Sequence, residues 1–273
     1  MWSSDTDKTI AEVPMSIPAE KLQHAYYEGT ASNYDDMHTS CEIDEHYSAL
    51  EFIDLLCDRF HLESLLDVGA GTGRAVKFLL DRRRNVRGIE PVQALIDQAA
   101  IRGVPKGLIV EGNGYSLPFE NGSFDAVLQC GVLHHVAEPS RVVGEMMRVA
   151  NRAVFLSDAN RFGQGRYAVR LLKLGLYKCN IWRAARFIQT RGKMYTVSRG
   201  DGLAYSYSVF DSYSQLAEWA DRIWMIPTGT EQSVRSWLHP LITASHVLLC
   251  ALKDRGPQEA QAPVSRERRP SSL

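Results

Sequence analysis

Short apolar stretches alternate with amphipathic ones through the middle of the chain. The apolar stretches predict strands at 64–68, 86–90, 107–111, 124–130 and 153–158. Apolar residues at helical spacing predict helical structure over 18–60, with a broad apolar stripe at 49–60, and helices at 74–81, 92–101 and 139–149. Strands that alternate with helices in this order form a parallel sheet with helices on both faces. Two later stretches, 222–227 and 245–253, predict two further strands.

The remaining stretches divide the chain into segments. Residues 1–16 are polar and aperiodic, which predicts a disordered lead, and residues 254–273 are rich in Pro, Gln, Arg and Ser, which predicts a disordered tail. The predicted core occupies 17–160 and resumes at 211–253. A minimal sheet does not need the residues between these two parts, so 161–210 is predicted to be an insert after the fifth strand.

The insert differs from the rest of the chain in charge. Residues 161–201 contain ten Lys or Arg and one acid, Asp201, although the whole chain has a net charge of −1. Apolar residues share the segment, which predicts amphipathic helices laid over the open end of the sheet. One interpretation is a lid that shapes an acceptor pocket and attracts an anionic group. The other is an apolar side packed into the core, with the cations as a solvated face.

The end of the insert contains candidate acceptor-binding residues. Residues 202–210 alternate like a strand, which would place Tyr205 and Tyr207 on one face, where they line an acceptor slot or fill a core. Cations just before this strand are candidates for an acceptor carboxylate or phosphate. They are Arg191, Lys193 and Arg199.

Composition narrows the class of protein. The chain has 273 residues, of which 45% are apolar and 23% charged, as in a soluble globular α/β protein. Its net charge gives no overall attraction to nucleic acid or to an anionic membrane. The five cysteines lack C-x-x-C spacing, and no apolar run reaches the roughly 18 residues of a membrane span. We therefore expect a cytoplasmic protein without a transmembrane segment, as a monomer or homodimer.

Residues 65–74 read Leu-Leu-Asp-Val-Gly-Ala-Gly-Thr-Gly-Arg, a strand that ends on an acid and enters a turn of alternating glycines. Gly69, Gly71 and Gly73 permit positive φ and let a flat polar cofactor lie against bare backbone. The dinucleotide fingerprint is G-x-G-x-x-G and faces a pyrophosphate, whereas this turn is G-x-G-x-G. Asp67 would repel phosphates and favour a ligand with a cationic end.

A second acid, Glu90, ends the next strand 23 positions after Asp67, at the spacing where a carboxylate meets a ribose diol. With it, five motifs in order resemble the class I S-adenosylmethionine-dependent methyltransferases, in particular the branch with quinone-biosynthesis and small-molecule enzymes. The motifs are Asp67-Val-Gly-Ala-Gly-Thr-Gly73, Glu90, Gly112-Asn-Gly-Tyr-Ser-Leu-Pro-Phe119, Phe124-Asp-Ala-Val127 and Val132-Leu-His-His-Val136. The resemblance implies a Rossmann-like, doubly wound, seven-stranded and mostly parallel sheet with a reversed last strand and a lid after strand five.

The resemblance also implies S-adenosyl-L-methionine as the cofactor. The glycine turn would lie along its methionine part, Glu90 would hold the ribose hydroxyls, and residues 112–119 would frame the adenine. Tyr34, in a Tyr34-Asp35 segment, would close over the methionine end. The implied cofactor-binding residues are Tyr34, Asp67, Gly69, Ala70, Gly71, Gly73, Glu90, Pro91, Asn113, Gly114 and Gln129.

Asn113 departs from the family pattern, which usually has Asp at this position to accept a hydrogen bond from the adenine amino group. The Asn amide oxygen also accepts, but it is uncharged and weaker. We expect the cofactor to bind less tightly as a result. Gly114 would offer a backbone N–H to the ring. The alternative for this stretch is a tight loop before a buried Leu-Pro-Phe.

Candidate catalytic residues follow the fourth and fifth strands. Methyl transfer from a sulfonium depends mostly on positioning, and a hydroxyl acceptor also needs a base. His134 and His135 are the candidate bases, with His134 preferred, although both are also candidates for ordering a loop or the cofactor. Asp158 and Asn160 would bind the acceptor or hold a histidine, or else cap a helix. The histidines are scattered, so no metal site is expected.

These predictions describe a methyltransferase that acts on an oxygen or nitrogen of a small-molecule metabolite, with an anionic acceptor among the candidates. Nucleic acid is not the expected partner, because no Asn-Pro-Pro-Tyr-type motif follows the fourth strand. Three alternatives stay open. They are an RNA or protein methyltransferase that uses the insert, a non-catalytic module of the same fold, and an enzyme that methylates a quinone or other lipid at a membrane surface.

Overall fold

The computed structural model describes residues 19–34, 40–198, 202–229 and 239–254 of the 273-residue chain. The lead predicted for 1–16, Asp35, Arg199 and the tail predicted after Asp254 lie outside the described residues.

From Ser64 to Glu111 strands and α-helices alternate, and the fourth strand then follows the third without an α-helix between them. The strands are β1 (Ser64–Val68), β2 (Asn85–Glu90), β3 (Ile109–Glu111), β4 (Phe124–Cys130), β5 (Ala150–Ala159), β6 (Tyr195–Ser198), β7 (Gly202–Tyr205), β8 (Arg222–Pro227) and β9 (His246–Leu252). The helices are α1 (Ala19–Thr30), α2 (Ser40–Phe60), α3 (Arg74–Asp81), α4 (Gln93–Ile101), α5 (Pro139–Val149), α6 (Tyr167–Lys178), α7 (Trp182–Gln189), α8 (Tyr213–Trp219) and α9 (Pro240–Thr243). Short 3₁₀ turns occupy 31–33, 133–135, 161–163 and 209–212.

Seven strands form one sheet in the order β3-β2-β1-β4-β5-β9-β8. β1 lies in the middle and pairs in parallel with β2 and β4. β9 is the reversed strand, antiparallel to both β5 and β8. The predicted Rossmann-like sheet, mostly parallel with one reversed strand, is therefore confirmed. After β1 the chain adds β2 and β3 on one side of β1, and it later adds β4 on the other side. Where the order of strands reverses in this way, the carboxyl ends of the neighbouring strands border a cleft.

The sheet has a core on each face because successive strand residues point to opposite sides. Leu65 of β1 packs in one core, with Ile53 of α2 and Leu79 of α3. The next residue, Leu66, packs in the other core, with Val142 and other residues of α5. The apolar stretches predicted as strands are thus buried on both faces, which fixes the position of their polar ends at one edge.

The insert forms two helices, α6 and α7, followed by the antiparallel β6–β7 hairpin. The strand predicted over 202–210 ends at Tyr205, so Tyr205 and Tyr207 do not share a strand face. The chain turns there because the Tyr207 N–H donates to the Tyr205 carbonyl (2.8 Å) and Ser208 and Asp211 form a capping box at the next 3₁₀ turn. In the described part of the chain, no helix is both long and apolar enough to cross a membrane.

Candidate active site

The glycine turn joins β1 to α3 over the end of β2. The N–H groups of Gly69 and Ala70 donate to the Ile89 carbonyl at 2.8 and 3.0 Å. Gly71 has φ +54°, and a Cβ at this position would meet no atom within 4 Å. The backbone at Gly71 therefore faces open space and leaves room for a ligand against the chain.

The other two glycines are required by packing. A Cβ at Gly69 would lie 2.5 Å from Cγ2 of Val132, and one at Gly73 would lie 2.8 Å from Cβ of Ala99. Gly73 does not line the cavity, although the sequence predicted ligand contact for all three glycines. It lets the start of α3 approach α4, so it positions the turn from behind.

A cavity of about 420 Å³ lies at the carboxyl ends of β1, β2 and β4. The structure brings nine of the eleven predicted cofactor-binding residues to its wall: Tyr34, Asp67, Gly69, Ala70, Gly71, Glu90, Pro91, Asn113 and Gly114. Gly73 and Gln129 lie outside it. The Gln129 side chain is fully buried, donates to the Ser157 carbonyl (3.3 Å) and accepts from the Val132 N–H (2.9 Å). Gln129 thus holds the loop after β4, which borders the cavity.

Glu90 is buried at the cavity floor and accepts two backbone hydrogen bonds. Its Oε2 accepts from the Gly71 N–H at 2.9 Å and its Oε1 from the Val92 N–H at 3.1 Å. Burial raises the pKa of the Glu90 carboxyl to about 7, although both N–H donors lower it. The carboxylate therefore ties the glycine turn to the end of β2 and is charged only at considerable cost.

Asp67 lies beside Glu90 in the same wall and is 2% exposed. Burial, followed by the charge of Glu90, raises the pKa of the Asp67 carboxyl to about 7, while Arg74 lowers it. Two neighbouring acids whose pKa values lie near neutrality favour a ligand that brings positive charge or hydrogen-bond donors.

Asn113 and Gly114 lie at the rim. The Asn113 side chain is exposed, and its Oδ1 accepts from the Tyr115 N–H at 3.0 Å. This local turn uses one lone pair of the amide oxygen and leaves the side chain at the edge of the cavity. A Cβ on Gly114 would lie 2.9 Å from Val142 Cγ1, so packing against α5 requires the missing side chain.

α1 and the turn that follows it cover the cavity. Tyr27 packs edge-on against Tyr34 (5.6 Å between ring centroids) and against His135 (5.9 Å). Gln23 anchors α1, because its Oε1 accepts from the Leu203 N–H of β7 at 2.6 Å. The residues that line the cavity all lie between 20 and 142, so none of them comes from the insert. The insert meets the cavity wall through β7, where Leu203 contacts Gln23 and His135.

Sequence reasoning missed several lining residues, among them Gln23, His24 and His46. The Gln23–Leu203 contact joins residues 180 positions apart, which no local pattern reveals. His46 is half-buried and packs edge-on against His246, and burial together with the charges of His246 and Arg74 lowers its pKa to about 3. His46 is consequently a neutral wall residue.

His135 lies in the cavity wall with a defined tautomer. Its Nδ1 is 2.7 Å from the Leu203 carbonyl oxygen and 3.3 Å from Gln23 Nε2. The shorter contact requires a proton on Nδ1, since two acceptors would repel each other at that distance. A neutral His135 therefore has its basic lone pair on Nε2.

His134 does not line the cavity. Its Nδ1 lies 2.8 Å from Oδ1 of Asp158, whose Oδ2 accepts from the Leu133 N–H at 3.0 Å. Burial of Asp158 works to raise its pKa, but the charge and hydrogen bond of His134 bring the pKa below its ordinary value. The pair holds the 3₁₀ turn at 133–135 and so sets the position of His135.

The predicted acceptor-binding residues are not brought together. Asn160 is fully buried; its Nδ2 donates to the carbonyls of Leu241 (2.7 Å) and Ala244 (2.8 Å), and its Oδ1 accepts from the Phe162 N–H. Arg191 is exposed in the turn after α7. Tyr207 is buried in the core and its hydroxyl lies 2.8 Å from Ser212 Oγ. Tyr205 is half-buried beside Tyr195, outside the cavity wall.

Metal-ligating side chains do not cluster in the described ranges, where no group of three or more His, Cys, Asp or Glu could hold an ion.

Comparison with known proteins relates the fold of the chain to that of methyltransferases. The sequence model of the methyltransferase domain family matches residues 66–156, from β1 to β5. Two solved structures share the fold over most of this chain. A magnesium protoporphyrin IX methyltransferase from Synechocystis, with bound SAH, has a TM-score of 0.56 at 16% identity and covers 86% of this chain and 100% of its own. A SAM-dependent methyltransferase from Thermotoga maritima has a TM-score of 0.54 at 16% identity, covering 84% and 99%.

This part of the chain is therefore similar to methyltransferase domains, and the chain shares their fold. Sequence relatives of the chain include an uncharacterized methyltransferase from Mycolicibacterium gilvum, 29% identical over 155 residues, which are 53% of this chain and 61% of that protein. Another, from Mycolicibacterium vanbaalenii, is 37% identical over 87 residues, 32% of this chain and 34% of that protein. The chain thus matches less than two thirds of the length of these relatives.

Proposed function

We propose that the chain is an active methyltransferase that uses S-adenosyl-L-methionine to methylate an oxygen or nitrogen of a small-molecule metabolite. The observation that carries this proposal is the cradle formed by Gly71, Asp67 and Glu90. Its backbone is open at Gly71, and both acids are buried with pKa values raised to about 7. A cationic ligand with a ribose diol satisfies both acids, which a phosphate-bearing dinucleotide does not.

The residues present fit the cofactor at each end. Glu90 would accept hydrogen bonds from the ribose hydroxyls, and Asp67 would face the positively charged methionine part. Asn113 and Gly114 would border the adenine at the rim, and Tyr34 with Tyr27 would cover the opposite side from α1. When bound, the cofactor supplies an electrophilic methyl group on a sulfonium.

His135 is the residue we propose to receive a proton from the acceptor. It lies in the cavity wall, and its Nδ1–H is held by the Leu203 carbonyl, so Nε2 is the basic atom. His134 and Asp158 act as positioning residues, because they fix the turn that carries His135. This assignment exchanges the roles predicted for the two histidines, since His134 had been preferred as the base.

The cofactor proposal is tested by calorimetry of the purified chain with S-adenosylmethionine and its demethylated product. We expect micromolar binding of both, lost in Glu90→Ala and retained in Glu120→Ala, whose acid is exposed and away from the cavity. If neither compound binds to folded protein, the proposed function is wrong.

Methyl transfer is tested separately, with isotope-labelled cofactor and a panel of small hydroxyl and amine compounds read by mass spectrometry. For an acceptor found this way, His135→Ala should lower kcat by about 100-fold or more while cofactor affinity stays unchanged. His134→Asn keeps a side chain that can bond Asp158 and should have a smaller effect. Transfer to RNA or protein alone would contradict the small-molecule acceptor and leave the cofactor assignment intact.

A further inference from the structure

α6 and α7 are two helices of the insert that bury none of their residues. Large apolar side chains face solvent along both, with Leu172 61% and Ile188 77% exposed. Together these side chains form what we call the outer face, consisting of Tyr167, Leu171, Leu172, Ile181, Phe187 and Ile188. A helix on the surface of a water-soluble domain normally turns such a stripe toward the core.

Two of the three cations of α6, Arg170 and Lys173, turn toward the rest of the domain, whereas Lys178 at the end of the helix is exposed. Arg170 donates from Nε to the Gly165 carbonyl (2.6 Å) and from Nη1 to the Ile242 carbonyl (3.0 Å). Lys173 donates to the Arg161 carbonyl at 3.0 Å. Both side chains are half-buried, whereas Leu171 and Leu172 are exposed. Arg170 and Lys173 thus pack against the domain, while Leu171 and Leu172 face solvent. This is the reverse of the interpretation in which the apolar side packs into the core and the cations form a solvated face.

Arg161 fixes this arrangement to the rest of the domain. Its guanidinium makes two hydrogen bonds of 2.6 Å to the Asp211 carboxylate and lies over the rings of Tyr177 and Trp182. Arg161 is 8% exposed, so its end of the ion pair is shielded from water, whereas Asp211 lies at the surface. The outer face is consequently presented on helices that are attached by specific contacts.

The charged side chains of residues 161–198 are all positive. Residues 161–198 contain no Asp or Glu, and their exposed cations are Arg166, Lys178, Arg183, Arg191 and Lys193. An occupant of this surface must therefore combine an apolar layer with negative charge. Pairing with the same face of a second copy is disfavoured, because the positive side chains of the two copies would repel each other.

We propose that the outer face docks on the surface of an anionic lipid bilayer. The leucine, isoleucine and phenylalanine side chains would enter the boundary between headgroups and acyl chains, and the flanking cations would contact lipid phosphates. A nucleic acid would satisfy the cations but leave the aliphatic side chains in water. The proposal concerns a surface remote from the cofactor cavity and holds whether or not the proposed methyl transfer is correct.

The test is co-sedimentation of the full chain, without cofactor, with vesicles of phosphatidylcholine alone or mixed with phosphatidylglycerol. We expect binding to the mixed vesicles only, weakened by added salt. The double variant Leu172→Asp with Ile188→Asp should bind at least about tenfold more weakly. Its matched control is Ile101→Asp, because Ile101 is 76% exposed at the end of α4, outside the outer face.

A charge variant completes the design. Arg183→Glu should weaken vesicle binding severalfold, and Lys106→Glu, which changes an exposed cation elsewhere, should not. All these side chains are exposed, so unchanged melting temperatures and cofactor affinities are expected and serve as a check on folding. The proposal is overturned if the chain does not bind the mixed vesicles, or if Ile101→Asp weakens binding as much as the double variant. It is equally overturned if the outer face instead mediates concentration-dependent self-association that Leu172→Asp abolishes.

Discussion

At the carboxyl ends of β1 and β2 two carboxylates are buried side by side, whereas along α6 and α7 large apolar side chains lie in water. Burying charge is expensive, so Asp67 and Glu90 hold their protons up to about neutral pH. Exposing leucine is inexpensive by comparison, since much of any folded surface is apolar. In both regions the proposed ligand would satisfy these groups, the cofactor for the acids and the lipid surface for the apolar side chains.

The largest difference between the regions is expected in stability. Leu79 of α3 is fully buried, so Leu79→Ala should lower the free energy of unfolding by about 2–5 kcal/mol. Leu172→Ala should change it by no more than about 0.5 kcal/mol, because little of that side chain leaves water on folding. Urea unfolding of both variants measures this. Equal losses of unfolding free energy in the two variants would show that the outer face is covered in solution. The outer face would then not be the exposed region that the comparison assumes.

Within the cavity, Glu90→Gln removes the negative charge of the side chain and keeps its size and shape. The variant keeps one oxygen acceptor but loses charge-assisted hydrogen bonds, which contribute about 1.5–3 kcal/mol each. We expect cofactor affinity to fall by about 10–100-fold. Calorimetry measures the change, and Glu120→Gln is the control. An unchanged affinity would remove Glu90 from the cofactor site.

Gly71→Ala probes the open backbone of the turn. Gly71 has φ +54° and open space around it, and Gly107 has φ +86° with nothing within 4 Å, but only Gly71 lines the cavity. Alanine at either position strains the backbone by about 1–2 kcal/mol. Only Gly71→Ala should also weaken cofactor binding, by about tenfold, because its Cβ enters the ligand space. Equal affinities in both variants would mean that no ligand lies against Gly71.

The parts of the fold that could be predicted from sequence are those set by local patterns. The bounds predicted for β1, α3, β4, α5 and β8 coincide with the observed ones, because each apolar run is closed by a polar or glycine-rich turn. β5 is longer than predicted, running from Ala150 to Ala159, because it pairs with β4 at Ala150 and with β9 from Ala153 to Ala159.

Part of the cavity wall could be predicted, because its residues lie at or just after the ends of strands. Asp67, Glu90 and Asn113 each follow or end a strand, and the carboxyl ends of parallel strands meet at one edge of the sheet. The wall from α1 could not be predicted, because the Gln23–Leu203 bond joins distant parts of the chain. Nor could the separate placement of His134 and His135, which depends on which one Asp158 reaches after folding.

The smallest effect we predict is a dependence of stability on pH that arises in the cavity and is absent from the insert helices. Asp67 and Glu90 have folded pKa values of about 7, above the ordinary values of 3.8 and 4.5, so the folded state binds more protons than the unfolded state between those limits. Their contribution therefore favours folding at acidic pH and is lost as pH rises through 7. Asp67→Asn should flatten this decline, by a few degrees in melting temperature, since each kcal/mol corresponds to about 2–4 °C in a domain of this size.

Thermal unfolding of the ligand-free protein between pH 5 and 8 measures this slope, with Asp97→Asn on the exposed face of α4 as the control. S-adenosylmethionine should reverse the trend, because a cationic ligand binds the ionised acids and stabilises the folded state more at pH 8 than at pH 6. The neutral thioether product should show less of this reversal, since it lacks the sulfonium charge that faces Asp67. If Asp67→Asn leaves the slope unchanged, the titrating groups lie outside the cavity. The cavity would then not differ from the outer face in the cost of its buried charges.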